Sequence, residues 1–368
     1  MSANATEIAV DEALQAFDEE MVKLNLTPTW SYYAELVSRQ PLPRYKPYLW
    51  KAQLLDWVVA RAGELVDLER GGERRSFEVV NPDLRHIHGT THTIGAALQL
   101  VKPGEIATSH RHLASAIRFP VRGKAYTAVN GEKLYMEERD LVLTPTWTWH
   151  EHGNENDEPV VWIDALDYPF NKLMQVSFFE TYPGGRFPNR HAPDYTAKWV
   201  GLSRPAWAPY AEECPQVVYK WADTRERLEQ WRNDEASPYD GVLLEYVNPF
   251  RHGPVLPTLA CYAQLLRPGE HTKAHRDTTS TVYYVLEGSG YSVIDGCRFD
   301  WGKGDFFMVP PWMWHEHANR DGADALFFVI NDRPIHDSLR LFREQAFPSV
   351  HQEVTRHFKP LLRNSPAM

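Results

Sequence analysis

A stretch of this 368-residue chain occurs twice. Pro103-Gly104-Glu105 returns 165 positions later as Pro268-Gly269-Glu270. At the same offset, Trp147-x-Trp149-His150-Glu151-His152 returns as Trp312-x-Trp314-His315-Glu316-His317. Matches without a gap over about fifty residues exceed chance, so the chain contains two copies of one module.

The repeated module has the sequence pattern of antiparallel strands. Short apolar or alternating runs are separated by Gly, Pro, Asn and Asp about every ten residues. In the first copy these runs are Ala96–Val101, Ala116–Val121, Ala125–Val129 and Leu141–Thr144. Asn130-Gly131 lies between two runs and suits a tight hairpin turn, since both central residues of that turn need positive φ. Each copy is therefore predicted to form an antiparallel sandwich or barrel.

Helices are predicted to flank the two modules. Apolar residues recur at three- and four-residue steps over the first 25 residues, and similar patterns cover Trp30–Ser38, Trp50–Ala62, Thr224–Asn233 and Asp337–Phe347. The predicted segments are a helical segment and arm (1–75), an N-terminal barrel (76–182), a linker (183–240), a C-terminal barrel (241–332), and a helix and tail (333–368). The predicted fold class is all-β with flanking helices.

Charge and composition exclude several classes of protein. Lys and Arg total 39 against 49 Asp and Glu, a net charge of −10, and no basic stripe offers a surface for nucleic acid. Apolar runs fall short of the ~20 residues that a membrane span needs, and the N-terminus lacks the pattern of a secretory signal. Three widely spaced cysteines make neither a disulfide framework nor a zinc knuckle. We therefore expect a soluble cytoplasmic protein that binds neither nucleic acid nor membrane.

Three histidines in the first copy suggest a metal site. His110 and His112 are two residues apart, so on a strand both side chains face the same way. His150 follows after enough chain to return beside them. Neutral imidazoles converging from two strands form a typical transition-metal site. A single buried histidine is more often hydrogen-bonded to its neighbours in a core. A pair of histidines with a third, at positions that the repeat also marks, favours a metal site.

The motifs around these histidines resemble the two cupin motifs. Gly104-x5-His110-x-His112, followed by Gly123, is similar to the first motif. Pro145-x-Trp147-x2-His150-x3-Asn154 is similar to the second, although Arg139 and Trp147 stand where the general pattern has glycine. More narrowly, Arg118-Phe119 and the runs 143–154 and 162–167 resemble the gentisate 1,2-dioxygenase group, which includes salicylate and 1-hydroxy-2-naphthoate dioxygenases.

This resemblance implies a fold and an activity. The fold is two cupin barrels (double-stranded β-helices, or jelly rolls) in one chain. Relatives are commonly homotetramers, so the resemblance also implies a homotetramer for this chain. One Fe(II) per chain, held by His110, His112 and His150, is expected to bind the carboxylate and adjacent hydroxyl of an aromatic hydroxy acid beside O2. Both oxygen atoms enter the product, and the ring opens between the carboxyl- and hydroxyl-bearing carbons.

A missing carboxylate distinguishes this site from the general cupin site. The general motif has a Glu ligand four residues after the second histidine, where this chain has Ala116 and, in the second copy, Thr281. Three neutral ligands leave a ferrous ion its full charge and open positions, which suits an anionic bidentate substrate with O2 beside it. The substitution disfavours a bicupin decarboxylase, and the intact histidines and arginines disfavour a non-catalytic cupin.

Five further residues are candidates for the substrate site. Arg118 follows the histidine pair on the cavity side of a strand, and a guanidinium fork is suited to holding a carboxylate. The resemblance also places Arg74 and Gln99 at the substrate, although Arg74 is equally consistent with a solvated surface residue. His152 is a candidate acid or base for a ring hydroxyl or bound oxygen. Asp164 is a candidate for orienting a histidine or substrate group, or for a structural hydrogen-bond acceptor.

The second copy has a different donor set at the matching positions. His275, Asp277 and His315 stand where the first copy has its three histidines, and two histidines with one carboxylate can hold iron. In the family the second barrel is often inactive. We therefore expect these residues to be packing remnants, with His271 and His317 as polar neighbours; two irons per chain would contradict this expectation.

Gentisate, whose 5-hydroxyl enriches the ring in electrons, is the expected substrate. Small residues precede Gln99 where relatives often have a larger aromatic, and Pro120 and Arg122 replace residues that are usually apolar and acidic. Salicylate, an aminosalicylate, a nitrosalicylate and 1-hydroxy-2-naphthoate stay open as alternatives, because one methylene-scale change in a pocket shifts preference by only ~1–3 kcal/mol.

Overall fold

The computed structural model describes residues 3–69, 74–196, 218–249 and 252–362. Contacts divide the chain into Met1–Leu42, which is helical, and Pro43–Met368, which contains both repeated modules. Residues 197–217 of the predicted linker lie outside the described part. The helices are α1 (Ala3–Lys23), α2 (Thr29–Leu36), α3 (Ala52–Leu65), α4 (Tyr168–Leu173), α5 (Trp221–Trp231) and α6 (Arg333–Ser338). Within the described residues, no helix combines the length and apolar character that crossing a bilayer demands.

The first unit consists of α1 and α2, as the periodicity predicts. The ring of Phe17 on α1 stacks on that of Trp30 on α2, with centroids 6.3 Å apart. Asp18 accepts hydrogen bonds from Trp30 Nε1 at 3.0 Å and from Ser31 Oγ at 2.6 Å. One carboxylate therefore joins the second helix to the first.

Antiparallel strands make up both modules. The first half of the chain has β1 (Tyr48–Trp50), β2 (Ser76–Glu78), β3 (Gly95–Val101), β4 (Ile106–His112), β5 (Ala116–Arg122), β6 (Ala125–Val129), β7 (Glu132–Met136), β8 (Leu141–Thr144), β9 (His150–Gly153), β10 (Val160–Leu166), β11 (Phe179–Thr181) and β12 (Val218–Tyr219). The second half has β13 (Val242–Glu245), β14 (Val247–Asn248), β15 (Gly253–Pro254), β16 (Ala260–Leu266), β17 (His275–Asp277), β18 (Thr281–Glu287), β19 (Ser289–Ile294), β20 (Cys297–Gly302), β21 (Phe306–Val309), β22 (His315–Asn319), β23 (Ala325–Asn331), β24 (Glu344–Ala346) and β25 (Arg356–His357).

Each module is a barrel of two sheets. The N-terminal barrel has the strand orders β12-β8-β5-β10-β3-β2 and β11-β4-β9-β6-β7. The C-terminal barrel has β1-β21-β18-β23-β16-β13 and β24-β17-β22-β19-β20-β25. Asn130 and Gly131 form the predicted hairpin turn between β6 and β7 with φ of 47° and 87°, and Asp295 and Gly296 do the same with 45° and 70°. The strands and turns predicted from the repeat are thus present.

Each barrel takes an edge strand from the segment that precedes the other barrel. β1 precedes the N-terminal barrel but pairs with β21 of the C-terminal one, with Trp50 opposite Phe306. β12 precedes the C-terminal barrel but pairs with β8 of the N-terminal one, with Tyr219 opposite Leu141. We call β1 with α3, and β12 with α5, the exchanged arms. They cover sheet edges that would otherwise present unpaired backbone groups.

Matching carboxylates hold the helices of the exchanged arms. Asp305 accepts from the backbone N–H of Ala52 at 2.7 Å and from the Lys51 ammonium, so it satisfies a donor in the first turn of α3. Asp140 accepts from the backbone N–H of Trp221 at 2.9 Å and from Lys220 Nζ at 2.8 Å. The two exchanged arms are therefore held in the same way, each by one aspartate at the start of its helix.

A shared core and reciprocal hydrogen bonds join the barrels. The rings of Phe119 and Phe328 stack across the interface, with centroids 3.9 Å apart. Thr93 Oγ1 of the N-terminal module donates to Asp332 of the C-terminal one at 2.6 Å, and the Thr258 hydroxyl donates in return to Asp167. Thr93 and Thr258 are 165 positions apart, and so are Asp167 and Asp332.

The predicted helix Asp337–Phe347 is wrong. The helix here is α6, which ends at Ser338, and Arg340 then adopts a left-handed φ of 58° that breaks helical geometry. Residues 344–346 form β24, which pairs with β17 and sets Ala346 opposite His275. Pairing with a strand about seventy residues earlier overrides local helix propensity. The helices predicted at Trp50–Ala62 and Thr224–Asn233 are present as α3 and α5, with shifted ends.

Candidate active site

Two paired strands bring the candidate metal ligands together. His110 and His112 lie on β4, and the pairing of β4 with β9 sets His110 opposite His150. The ring centroids of His110 and His150 are 4.1 Å apart, and those of His112 and His150 are 4.7 Å apart. One ligand atom from each ring lies within 4.8 Å of the others. The convergence predicted from the sequence is thus present.

Backbone carbonyls fix the tautomer of all three rings. Nδ1 of each ring donates to a carbonyl oxygen two residues away: His110 to Thr108 at 2.8 Å, His112 to Ala114 at 2.7 Å, and His150 to Thr148 at 2.8 Å. Because a neutral imidazole carries one ring proton, Nε2 of each ring keeps its lone pair for a ligand. The local strand geometry therefore presents three Nε2 atoms with no rearrangement of the rings.

Burial and nearby positive charge keep these rings neutral. Burial, assisted by the charge of Arg74, lowers the pKa of His110 to about 2. Burial, assisted by Arg118, lowers the pKa of His112 to about 4. Burial beside the other histidines lowers the pKa of His150 well below its ordinary value. At neutral pH no proton competes with a metal for the three lone pairs.

The donor set fits a divalent transition metal. Nε2 of His150 is buried and has no hydrogen-bond partner among the residues that the structure describes. A buried nitrogen lone pair is costly unless a ligand engages it, and imidazole nitrogens suit iron and its neighbours in the first transition row. Ala116, where the general motif has glutamate, is fully buried and offers no donor. A metal here would be held by three neutral ligands.

Arg118 is buried next to these ligands, with 2% of its surface exposed. Its Nη2 donates to Nε2 of His152 at 3.2 Å, and its Nη1 donates to Oγ1 of Thr144 at 3.3 Å. Its Nε lies 3.3 Å from Oδ1 of Asp164, the counter-charge of the guanidinium. Asp164 therefore contacts Arg118 from the paired strand β10, where the two residues are directly opposite each other.

His152 is held in a single tautomer by this network. Since its Nε2 accepts from Arg118, its proton is on Nδ1, which donates to Oγ1 of Thr127 at 3.0 Å. Burial and the charge of Arg118 lower the pKa of His152 well below its ordinary value. His152 is thus a neutral acceptor aimed at Arg118. Thr127, which fixes this orientation, has no signal in the sequence analysis beyond its place on a barrel strand.

Arg74 and Gln99 complete the predicted set. The Arg74 guanidinium lies 5.7 Å from the ring of Phe179, and that ring stacks on His110 with centroids 5.4 Å apart. Gln99 is buried, and neither amide atom has a hydrogen-bond partner among the described residues. Phe179 was not identified from the sequence. Glu344 stands 165 positions later and contacts His275 in the second cluster, but this correspondence is visible only in the structure.

The matching residues of the C-terminal barrel also converge. One ligand atom from each of His275, Asp277 and His315 lies within 4.8 Å of the others. Tyr283 and Val329 occupy the positions that correspond to Arg118 and Asp164, so the arginine–carboxylate pair is not repeated. The two barrels thus share a frame but surround it with different charges.

The fold and the histidine cluster define the class of this protein, a bicupin with a candidate metal centre in its first barrel. The family profile described as "Cupin domain" matches residues 97–166 and 263–331, one match in each module. The predicted pair of cupin barrels is confirmed.

Comparison with known proteins identifies the family. The chain is 47% identical over 354 residues to 5-aminosalicylate 1,2-dioxygenase of a Comamonas species, with 94% of each chain covered. It is 33% identical to gentisate 1,2-dioxygenase 1 of Aquipseudomonas alcaligenes, covering 91% of this chain and 97% of the relative. A crystal structure of salicylate 1,2-dioxygenase from Pseudoaminobacter salicylatoxidans with gentisate matches with a TM-score of 0.82 and 32% identity, covering 92% and 94%. The chain belongs to the gentisate 1,2-dioxygenase family of ring-cleaving dioxygenases.

Proposed function

We propose that this enzyme is an Fe(II)-dependent dioxygenase that cleaves a 2-hydroxybenzoate with an electron-donating group at position 5. Both atoms of O2 enter the product, and the ring opens between the carboxyl- and hydroxyl-bearing carbons. The observation that carries the proposal is the convergence of three neutral imidazoles beside two arginines with one carboxylate.

The three Nε2 atoms of His110, His112 and His150 would hold the iron. Iron supplies open coordination positions and a route for electron density from the ring to O2. The chain's part is to hold the ligands neutral and oriented through the carbonyls of Thr108, Ala114 and Thr148. Ala116 leaves open the position that a glutamate ligand would fill, so that the substrate itself supplies the anionic ligands.

Charge selects the substrate. Two guanidinium groups, those of Arg74 and Arg118, act electrostatically on the single carboxylate of Asp164. Their positive potential favours an anionic hydroxybenzoate, and a guanidinium binds a carboxylate with two parallel hydrogen bonds. The orphaned amide of Gln99 offers a donor and an acceptor to a substrate hydroxyl or ring substituent. Binding of the acid thus satisfies groups that burial otherwise leaves unpaired.

His152 is assigned a role in proton transfer. Its Nε2 accepts from Arg118 in this arrangement, and Thr127 holds the proton on Nδ1. When the guanidinium turns to the substrate carboxylate, Nε2 becomes free to accept the proton of the ring hydroxyl. Asp164 keeps the charge of Arg118 partly balanced throughout.

Gentisate and 5-aminosalicylate are the two substrates that this site favours. Both carry an electron-donating group para to the reacting hydroxyl, which helps the ring give electrons to oxygen. Gentisate is the candidate that the family resemblance suggests, and the 47% identity to a 5-aminosalicylate dioxygenase supports the amino compound as the other candidate.

An oxygen-electrode panel with ferrous-loaded enzyme tests the proposal. The panel contains gentisate, 5-aminosalicylate, salicylate and 1-hydroxy-2-naphthoate. We expect one O2 consumed per gentisate or 5-aminosalicylate and a ring-opened product that absorbs in the near ultraviolet. His110→Ala should lose iron and activity together, whereas His86→Ala, at an exposed histidine outside the site, should keep both. No turnover on any of the four acids at full iron loading would reject the proposal.

A further inference from the structure

The histidine cluster of the C-terminal barrel is arranged for binding a ligand. His275 on β17 lies opposite His315 on β22, and their ring centroids are 4.4 Å apart. Nδ1 of His315 donates to the carbonyl of Met313 at 3.0 Å, and Nδ1 of His275 donates to Glu344 at 3.1 Å. Nε2 of both rings is therefore the atom that keeps a lone pair for a ligand.

The remaining contacts leave donors without partners. His275 is 4% exposed, and its Nε2 has no hydrogen-bond partner among the described residues. Oδ1 of Asp240 lies 3.9 Å from this nitrogen. Oδ1 of Asp277 accepts from the backbone N–H of Thr279 at 2.6 Å, which fixes the carboxyl group and leaves its second oxygen for a ligand. A histidine whose Nδ1–H is bound by a carboxylate is the usual form of an orienting contact for a metal ligand.

The cavity around this cluster is suited to a cation. It has a volume of about 210 Å³, and its lining includes the carboxylates of Asp240, Asp277 and Glu344 with a single guanidinium, that of Arg333. The position that corresponds to Arg118 is Tyr283, which brings no positive charge. In the N-terminal site, by contrast, the guanidinium groups of Arg74 and Arg118 both act on the carboxylate of Asp164. The carboxylates that line the C-terminal cavity therefore suit a metal cation.

We propose that the C-terminal barrel binds a divalent transition-metal ion through His275, Asp277 and His315. Two histidines and one carboxylate are the ligand set of non-haem Fe(II) sites, and the carboxylate supplies a negative charge that the three-histidine site lacks. Glu344 orients His275 by taking its Nδ1 proton. The chain would then hold two metal ions of different ligation, contrary to the expectation that the second cluster is a packing remnant.

Metal counting on the full-length protein tests this inference. The metal-free protein is titrated with Mn²⁺, and the electron paramagnetic resonance signal of the free ion gives the number of bound equivalents. We expect two equivalents for the wild type and one for either His315→Ala or Asp277→Asn. His110→Ala should also bind one, and the His110→Ala/His315→Ala double variant none. Asp277→Asn preserves the size of the side chain, so that loss of an equivalent in both C-terminal variants reports on ligation rather than on folding.

A nearby surface cluster provides the matched control. His271 and His351 lie near Glu316, and their ligand atoms also lie within 4.8 Å of one another. His351→Ala should keep both equivalents. A single equivalent in the wild type that His110→Ala abolishes would overturn the inference. Two equivalents that persist in both His315→Ala and Asp277→Asn would also overturn it, because the second ion would then lie elsewhere.

Discussion

Replacing Arg118 with glutamine is expected to weaken substrate binding without removing the metal. The guanidinium is 98% buried and contacts Asp164, His152 and Thr144, but none of the three metal-ligand candidates. A hydrogen bond to a charged group contributes about 1.5–3 kcal/mol. Loss of that contribution to the substrate carboxylate corresponds to a roughly 10- to 150-fold rise in KM.

The same substitution should destabilise the fold, because it leaves Asp164 buried without the guanidinium that contacts it. Removing one partner of a buried ion pair costs about 3–5 kcal/mol. Asp164→Asn in the Arg118→Gln background removes the unpaired charge, so the double variant should recover most of this loss. The relevant assays are oxygen-electrode kinetics at full iron loading and urea unfolding of the single and double variants.

Arg122→Gln is the matched control, since Arg122 lies on the same strand but is exposed. Its KM should stay within twofold of the wild-type value. A KM for Arg118→Gln that also stays within twofold would refute the assigned role of Arg118. A double variant that is as unstable as the single one would refute the ion-pair explanation for the stability loss.

Three further predictions concern stability. The pKa values of His110 and His112 are lowered to about 2 and about 4, so below about pH 6.5 the unfolded chain takes up protons that the folded chain refuses. The free energy of unfolding of the metal-free protein should therefore fall by about 1.4 kcal/mol per pH unit for each ring between pH 6.5 and pH 4. Equal free energies of unfolding in urea at pH 7 and pH 5 would contradict this. Phe328→Ala should cost about 3–5 kcal/mol, seen as a lower urea midpoint, because it empties one side of the stacked interface; an unchanged midpoint would count against a shared core. Thr258→Val should lower the free energy of unfolding by about 1–3 kcal/mol, because it removes a hydrogen-bond donor to the buried Asp167. The rate of ring cleavage should stay unchanged. A large loss of activity would mean that the barrel interface affects the active site.

The repeat carries most of the information that the sequence offers about the fold. Its constant offset predicts two barrels, and the spacing of His110, His112 and His150 predicts the cluster, because alternation on a strand decides which way a side chain points. The helix predicted at 337–347 is wrong because its residues pair with β17 instead, and pairing between distant strands leaves no local pattern.

The exchanged arms show a second limit of the repeat. Lys51 and Lys220 play equivalent parts but are 169 positions apart rather than 165, so a search at the constant offset passes over them. Phe179 and Thr127 were missed for a different reason. An apolar ring and a hydroxyl carry no motif of their own, and their contacts with His110 and His152 depend on the register of neighbouring strands.

The exchanged arms also have a consequence for how this chain is made. During synthesis the N-terminal barrel emerges first, but β8 stays an open edge until Val218 and Tyr219 have left the ribosome. β1, made early, waits for β21 near the end of the chain. A fragment that contains only one barrel would have one exchanged arm without its partner strand and one sheet edge without its covering strand. Such an unpaired edge can associate with other chains. We therefore expect each half of this chain to fold stably only when the other half is present.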